Sequence, residues 1–201
     1  MTLLPHWVLA TANRGKVAEL SALLAEAGLA LRVTTQSELG VSAAPETGAT
    51  FVENALLKAR HAARITGLPA IADDSGLVVA ALGGAPGVRS ARFAGEQADD
   101  DANVVKLLAA LAQPSLDRGA RFHCALVALR HPDDAAPLIA TGSWAGQIAR
   151  APKGSRGFGY DPVFFDPNLG RTAAELDPAE KNRVSHRGAA LRGLVELLKN
   201  R

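Results

Sequence analysis

His6-Trp7-Val8-Leu9-Ala10, then Thr11-Ala12-Asn13-Arg14-Gly15-Lys16, then Val17 to Gly28: an apolar run, a polar loop and an amphipathic stretch follow one another directly. The first is short and apolar and reads as a buried strand. In the third, Val17, Leu20 and Leu24 recur at helical spacing, and Gly28 is a fitting C-terminal stop. Leu29 to Thr35 reads as a second strand. A β-loop-α-β opening predicts an α/β fold.

Working outward, Leu39 to Gly48 reads as a loop. Thr50-Phe51-Val52-Glu53 then has the capping-box form, a Ser or Thr followed three residues later by Glu. The helix it starts is expected to reach Thr66, where Gly67 and Pro69 end it, with Phe51, Ala55, Ala59 and Ala62 facing inward. Ile71-Ala72-Asp73-Asp74-Ser75-Gly76-Leu77 places two adjacent acids between apolar runs, Leu68 to Ala72 and Leu77 to Leu82. That pattern predicts two strands joined by an acidic turn closed at Gly76. Gly83 to Gly87 reads as a flexible loop. Asp99-Asp100-Asp101 suits the start of a helix, whose buried stripe is Val104, Leu107, Leu108 and Leu111. Arg121 to Arg130 and Leu138 to Ile148 read as paired antiparallel strands, Tyr160 to Phe165 as a short strand, and Arg187 to Asn200 as a last helix.

The 201 residues, 48% of them hydrophobic, fit one domain with a sizeable core, spanning 1–201. Lys plus Arg number 22 against 20 Asp plus Glu, a formal charge of +2, too balanced for a non-specific nucleic-acid or membrane surface. Aromatics at 4% disfavour a base-stacking single-strand binder. The single cysteine, Cys124, excludes an internal disulfide and a Cys-based zinc site, and its apolar surroundings in sequence make it a small core residue. No apolar run approaches the roughly 20 residues of a membrane span, and the start lacks a basic secretory n-region. A cytoplasmic protein is expected.

Several segments carry residue types with chemical use. Thr11 to Lys16 lies between a strand and a helix, where backbone N–H groups bind anions. Thr11 and Asn13 add neutral groups, Arg14 and Lys16 add charge, and Gly15 permits close approach. The same segment also reads as a plain polar loop with Asn13 as helix cap. It is not a Walker loop, since Lys16 is followed by Val17. A carboxylate pair beside a core is expensive without compensation, and a bound Mg²⁺ would supply it. Glu46, a loop acid without a capping role, is a further candidate metal ligand. Lys58, two turns into the helix, reads as a solvated lysine. Gly157-Phe158-Gly159-Tyr160-Asp161-Pro162 offers a ring to stack on a base and a carboxylate to accept from one, or else mere strand-entry packing. Lys181, Ser185, His186 and Arg187 precede the last helix, where Ser185 could be its N-cap and His186 simply exposed.

TANRGK, ETGATFVENALLKA, IADDSGL, GGAPGVRSARFAG, GFGYDPVF and EKNRVSHRGAAL, in that order from about Val8 to Leu198, resemble the motifs of the inosine/xanthosine triphosphate pyrophosphatases, the Ham1-like family. The resemblance implies an elongated mixed central sheet flanked by helices, two lobes with the active site in the cleft between them, a homodimer and Mg²⁺ dependence. It implies hydrolysis of deaminated purine nucleoside triphosphates (ITP, dITP, XTP) to monophosphate and pyrophosphate. Carried over residue by residue, Thr11, Ala12, Asn13, Arg14, Gly15 and Lys16 match the triphosphate loop. Glu46 matches a metal-coordinating acid, Lys58 a phosphate contact, and Asp74 the metal ligand and general base, with Ser75 beside it in the substrate site. Phe158, Gly159, Tyr160, Asp161, Lys181, His186 and Arg187 match the base-recognition positions. Ala12 stands where relatives often have Gly. A pyrophosphatase for modified pyrimidines and a non-catalytic nucleotide sensor are the competing expectations; a pure binder has no need of the set Lys16, Glu46, Asp73 and Asp74.

Overall fold

The computed structural model describes residues 6–11, 13–28 and 31–200. Ala12 of the polar loop lies outside them, as does the side chain of Arg14. Strand β1 (His6–Leu9) leads into helix α1 (Arg14–Glu26) and strand β2 (Arg32–Thr35). Helix α2 (Phe51–Thr66), strand β3 (Ala70–Val79) and helix α3 (Asp100–Ala110) follow. Strands β4 (Gly119–Leu129), β5 (Leu138–Ile148), β6 (Phe164–Asp166) and β7 (Arg171–Thr172) precede helices α4 (Pro178–Val184) and α5 (His186–Lys199). The sheet order is β2-β1-β3-β4-β5-β6-β7. β1 is parallel to β2 and β3, whereas β6 is antiparallel to β5 and β7, so the α/β sheet is mixed.

The chain forms two compact units. The first comprises residues 1–74, 124–142 and 187–201. Its strands alternate side chains between two faces. On one, Leu9 and Ile71 pack with Leu20, Leu23 and Leu24 of α1 and Leu191 and Leu194 of α5. On the other, Val8, Ala70 and Ala72 pack with Ala55, Ala59, Ala62 and Ala63 of α2, all fully buried. A helix face of alanines lets α2 lie close to the strands. Both ends of α2 are built as its sequence indicates: Thr50 and Glu53 close the capping box, and Gly67 adopts the left-handed conformation at φ +69°. Asn13 caps α1 by accepting from the Lys16 N–H at 3.0 Å.

The second unit comprises residues 75–123 and 143–186. Its core gathers Leu77 and Val79 of β3, Val104, Leu107 and Leu111 of and just after α3, and Phe122, Trp144, Ile148 and Phe164. Asp99 caps α3, as the triple-acid start anticipates.

Two expectations are corrected and one helix is added. The acidic pair does not lie in a turn: β3 runs unbroken for ten residues through Asp73, Asp74, Ser75 and Gly76. Each acid has a cation to face, so the strand continues where composition alone indicates a break. The strand expected at Tyr160 to Phe165 is confined to Phe164–Asp166, because Phe158–Asp161 and Tyr160–Val163 backbone bonds hold a turn before it. Residues 178–184 form α4, started by the Asp177 cap and Pro178 in its first turn, a pattern unused in the sequence reading. Cys124 is buried in the core as expected, and burial pushes its thiol up to about 12.

Candidate active site

Successive strand residues point to opposite faces, and that separates the two acids. Asp73 shares the face of Ile71, toward α1 and α5; Asp74 shares the face of Ala70 and Ala72, toward α2. Lys16 of α1 approaches Asp73 Oδ2 at 3.1 Å, and the Arg187 guanidinium of α5 lies 3.7 Å from the same oxygen. Arg187 also pairs with Glu19 of α1. Burial favours the neutral form of Asp73, but Lys16, Arg187 and Lys58 outweigh it and hold the carboxyl at about 2.

On the other face, Lys58 Nζ donates to Asp74 Oδ1 at 2.7 Å and to Glu46 Oε1 at 3.0 Å. Asn54 Nδ2 donates to Asp74 Oδ2 at 3.3 Å. Asn54 and Lys58 are four residues apart on α2 and so share a face. Burial raises the Asp74 carboxyl above its ordinary value, and Lys58 and Lys16 only partly oppose it. Lys58 is raised: burial would lower it, but Asp74, Asp73 and Glu46 prevail. The reading of Lys58 as a solvated lysine is therefore set aside, since only 12% of its side chain is exposed.

Thr11 is buried, its Oγ1 accepting from the Asn13 N–H at 3.2 Å. Thr11, Asn13, Gly15 and Lys16 thus surround the start of α1, a site where backbone N–H groups favour anions. Ser75 follows Asp74 on β3 and is half-buried.

A second cluster occupies the second unit. Lys181 Nζ of α4 lies 2.5 Å from Asp161 Oδ2 and 5.1 Å from the centroid of the Phe158 ring. Asp161 also accepts from the Phe158 N–H at 2.9 Å, folding the Gly157–Asp161 turn over its own carboxylate. Gly157 sits at φ +77°, and a Cβ there would meet Asp161 Oδ2 at 2.0 Å, so any other residue is strained and must displace the carboxylate. The Gly159 N–H donates to Asp100 Oδ2 at 2.7 Å. Phe158 is half-buried, with a face over an ammonium; Tyr160 is buried, its hydroxyl donating to the Ser90 carbonyl at 2.8 Å, with burial raising its pKa. Of the two rings, Phe158 is the less buried. His186 is not exposed: it is buried and stacks on Phe122, centroids 4.7 Å apart.

The structure thus divides the residues expected from sequence. Lys16, Glu46, Lys58 and Asp74 stand around Asp73 and α2, while Phe158, Gly159, Asp161 and Lys181 form one turn-and-helix cluster. Arg187 was grouped with the base contacts, but its guanidinium faces Glu19 and Asp73. Two site neighbours escaped sequence reading. Glu19 sits three residues after Lys16 on α1, the spacing that puts both on one side. Asn54 sits beside Ala55, as Lys58 sits beside Ala59, at the edge of the alanine face; that i, i+4 pair was the available signal.

The chain is similar to known proteins over nearly its whole length. The model of the Ham1 family matches residues 7–197. A dITP/XTP pyrophosphatase of Shigella flexneri is 59% identical over 96% of this chain and 98% of its own length. One of Yersinia pseudotuberculosis is 60% identical over the same shares. The solved structure of a HAM1 protein from Coxiella burnetii superposes with a TM-score of 0.90 at 52% identity, over 98% of this chain and all of that one.

Proposed function

The chain belongs to the Ham1 family, and on that premise we propose that it hydrolyses dITP, XTP and ITP to the monophosphate and pyrophosphate. The observation that carries the reading is Asp74, a buried carboxylate raised above its ordinary pKa and held at both oxygens, by Lys58 and by Asn54. Each oxygen keeps a lone pair for a proton. Asp74 orients a water toward the α-phosphorus and takes its proton at a carboxylate oxygen. The bond to the β-phosphate oxygen breaks, and pyrophosphate leaves with its charge held by Lys16, Lys58 and the amides at the start of α1. Positioning and charge stabilisation account for most of the rate.

The charge census supports a divalent cation. Among the described side chains, Glu19, Glu46, Asp73 and Asp74 stand against Lys16, Lys58 and Arg187, so the cluster carries no excess of positive charge for a polyphosphate. Asp74 Oδ1 and Glu46 Oε1 already converge on one cation, the Lys58 ammonium. No group of three or more His, Cys, Asp or Glu side chains forms a ready cage among the described residues. Mg²⁺ fits such a site, because it is bound by one or two carboxylates plus substrate phosphates. Glu46 and Asp74 would hold it, and when bound it neutralises phosphate oxygens and makes phosphorus more electrophilic.

The Phe158 cluster supports recognition of the base. Hypoxanthine and xanthine present a 6-oxo acceptor and an N1–H donor, and adenine reverses both. Asp161 and Lys181 offer a carboxylate and an ammonium side by side, with Phe158 for stacking. An amino group facing the ammonium leaves committed polar groups unmatched. The family resemblance supports a homodimer acting on the cytoplasmic nucleotide pool; no described helix is long and apolar enough to cross a membrane. Pyrophosphate release with Mg²⁺ from dITP, XTP, ITP, GTP and ATP side by side tests the reading. On the order of 10²-fold or more in kcat/KM is expected between ITP and ATP. Comparable values for the two would overturn it.

A further inference from the structure

We propose that Asn54 is a positioning residue that ties the Glu46 loop to Asp74 and sets the orientation of the Asp74 carboxylate. The inference rests on the reading of Asp74 as the base. Asn54 is completely buried, and a buried amide must find partners for both its ends. Its Oδ1 accepts from the Gly48 N–H at 2.8 Å. A backbone N–H can only donate, so the carbonyl end of the amide faces Gly48 and the N–H end faces Asp74. That end reaches Asp74 Oδ2 at 3.3 Å, while Lys58 reaches Oδ1 at 2.7 Å. Two donors on two oxygens fix rotation of the carboxylate about its Cβ–Cγ bond, which one donor alone leaves free.

The loop is gripped by the same side chain. Gly48 lies two residues beyond Glu46, whose Oε1 meets Lys58 Nζ. A Cβ at Gly48 would sit 2.6 Å from Glu53 Cβ and 2.8 Å from Asn54 Oδ1, so the loop backbone is seated hard against the first turn of α2. Asn54 therefore acts on both candidate ligands at once, on Asp74 directly and on Glu46 through the backbone of Gly48. It touches neither water nor substrate in this role.

Two variants separate the arms. Asn54→Asp keeps an acceptor for the Gly48 N–H but presents a carboxylate oxygen to Asp74 in place of the N–H; Asn54→Ala removes both contacts. Three measurements are compared with wild type: thermal unfolding, hydrogen exchange of the Gly48 amide by NMR, and kcat and KM for dITP. Groups that orient a ligating or reacting side chain cost about 10- to 100-fold when lost. A drop of that size in kcat, with KM changed less, is expected in both folded variants, with Gly48 protected from exchange in Asn54→Asp and unprotected in Asn54→Ala. If Asn54→Ala fails to fold, the isosteric Asn54→Asp alone decides. A folded Asn54→Asp with Gly48 protected and wild-type kcat overturns the inference, since Asn54 would then only anchor the loop. Asp74→Asn serves as the control for the underlying reading: if it turns over dITP like wild type, the assignment of the base fails. If Asp74→Asn is inactive while both Asn54 variants match wild type, only the positioning role fails.

Discussion

Replacing Lys58 by Met tests the buried charge network through stability. Lys58 Nζ lies 2.7 Å from Asp74 Oδ1 and 3.0 Å from Glu46 Oε1, with 12% of the lysine side chain and 7% of the Asp74 side chain exposed. At an effective dielectric of about 20, the shorter contact alone is a gross attraction of about 6 kcal/mol. Desolvation offsets most of that in the intact pair. Removing only the lysine leaves the offset unbalanced and strands a buried carboxylate, which costs about 3–5 kcal/mol. For a chain of this size the melting temperature should fall by about 10 °C, measured by calorimetry at pH 8 with EDTA present. The pH dependence has a definite sign. Lys58 is raised above 10.5, so its contribution is complete below that value and constant between pH 5 and 8. Asp74 is raised above 3.8 by burial, and without Lys58 it rises further; its ionisation then disfavours the folded state increasingly as pH climbs from 3.8 to the raised folded value, and constantly above it. The deficit of Lys58→Met must therefore be larger at pH 8 than at pH 5. Adding Asp74→Asn should recover much of it, because the stranded charge is gone. A deficit under about 1 kcal/mol at pH 8, where a buried pair predicts several, would refute the reasoning, as would a deficit that grows toward acid.

Asp74→Asn alone should keep the fold and lose at least about 10³-fold in kcat for dITP, a barrier increase of roughly 4 kcal/mol. Its melting temperature at pH 8 should fall less than that of Lys58→Met, since Lys58 keeps Glu46 as a partner; turnover within tenfold of wild type would show that Asp74 is not the base. Gly157→Ala should lower kcat/KM for dITP with little change in the hydrolysis rate at saturation. The added methyl is aimed at Asp161 Oδ2 and must displace the carboxylate that holds Lys181, so an unchanged KM would count against a base-binding role for that turn.

The local rules of helix ends were legible in the chain before any fold was known. Thr50 with Glu53, Asn13 with Lys16, and the acids at Asp99 each do what their spacing indicates, because a cap is satisfied within three residues. Long-range matching was not legible. Nothing near Lys58 in sequence identifies Asp74, sixteen residues on, as its partner. Nothing near Tyr160 indicates that its hydroxyl is spent on Ser90. Arg187 was grouped with its sequence neighbour His186, yet the first faces Asp73 and the second faces Phe122. The family resemblance names residues distant in sequence as one site, an expectation that composition and periodicity of a single chain do not provide.

The acidic pair shows why the error about shape and the inequivalence of the two acids have one cause. A turn would have let both carboxylates reach solvent and behave alike. A continuous strand forbids that: its two-residue period sends Asp73 and Asp74 to opposite faces, and the helices waiting there differ. Asp73 meets Lys16 and Arg187 and is held at about 2, a charge fixed at any physiological pH. Asp74 is bonded by the Lys58 ammonium, which it shares with Glu46, and burial prevails over Lys58 and Lys16, raising it. Adjacent identical residues thus become a permanent anion and a responsive one without any difference in local sequence. A one-residue slip of β3 would exchange the faces, turning position 74 toward α1 and α5 and bringing Asp73 or Ser75 opposite Lys58 and Asn54. The register of this strand, more than the presence of two acids, is what gives the two carboxyls different surroundings.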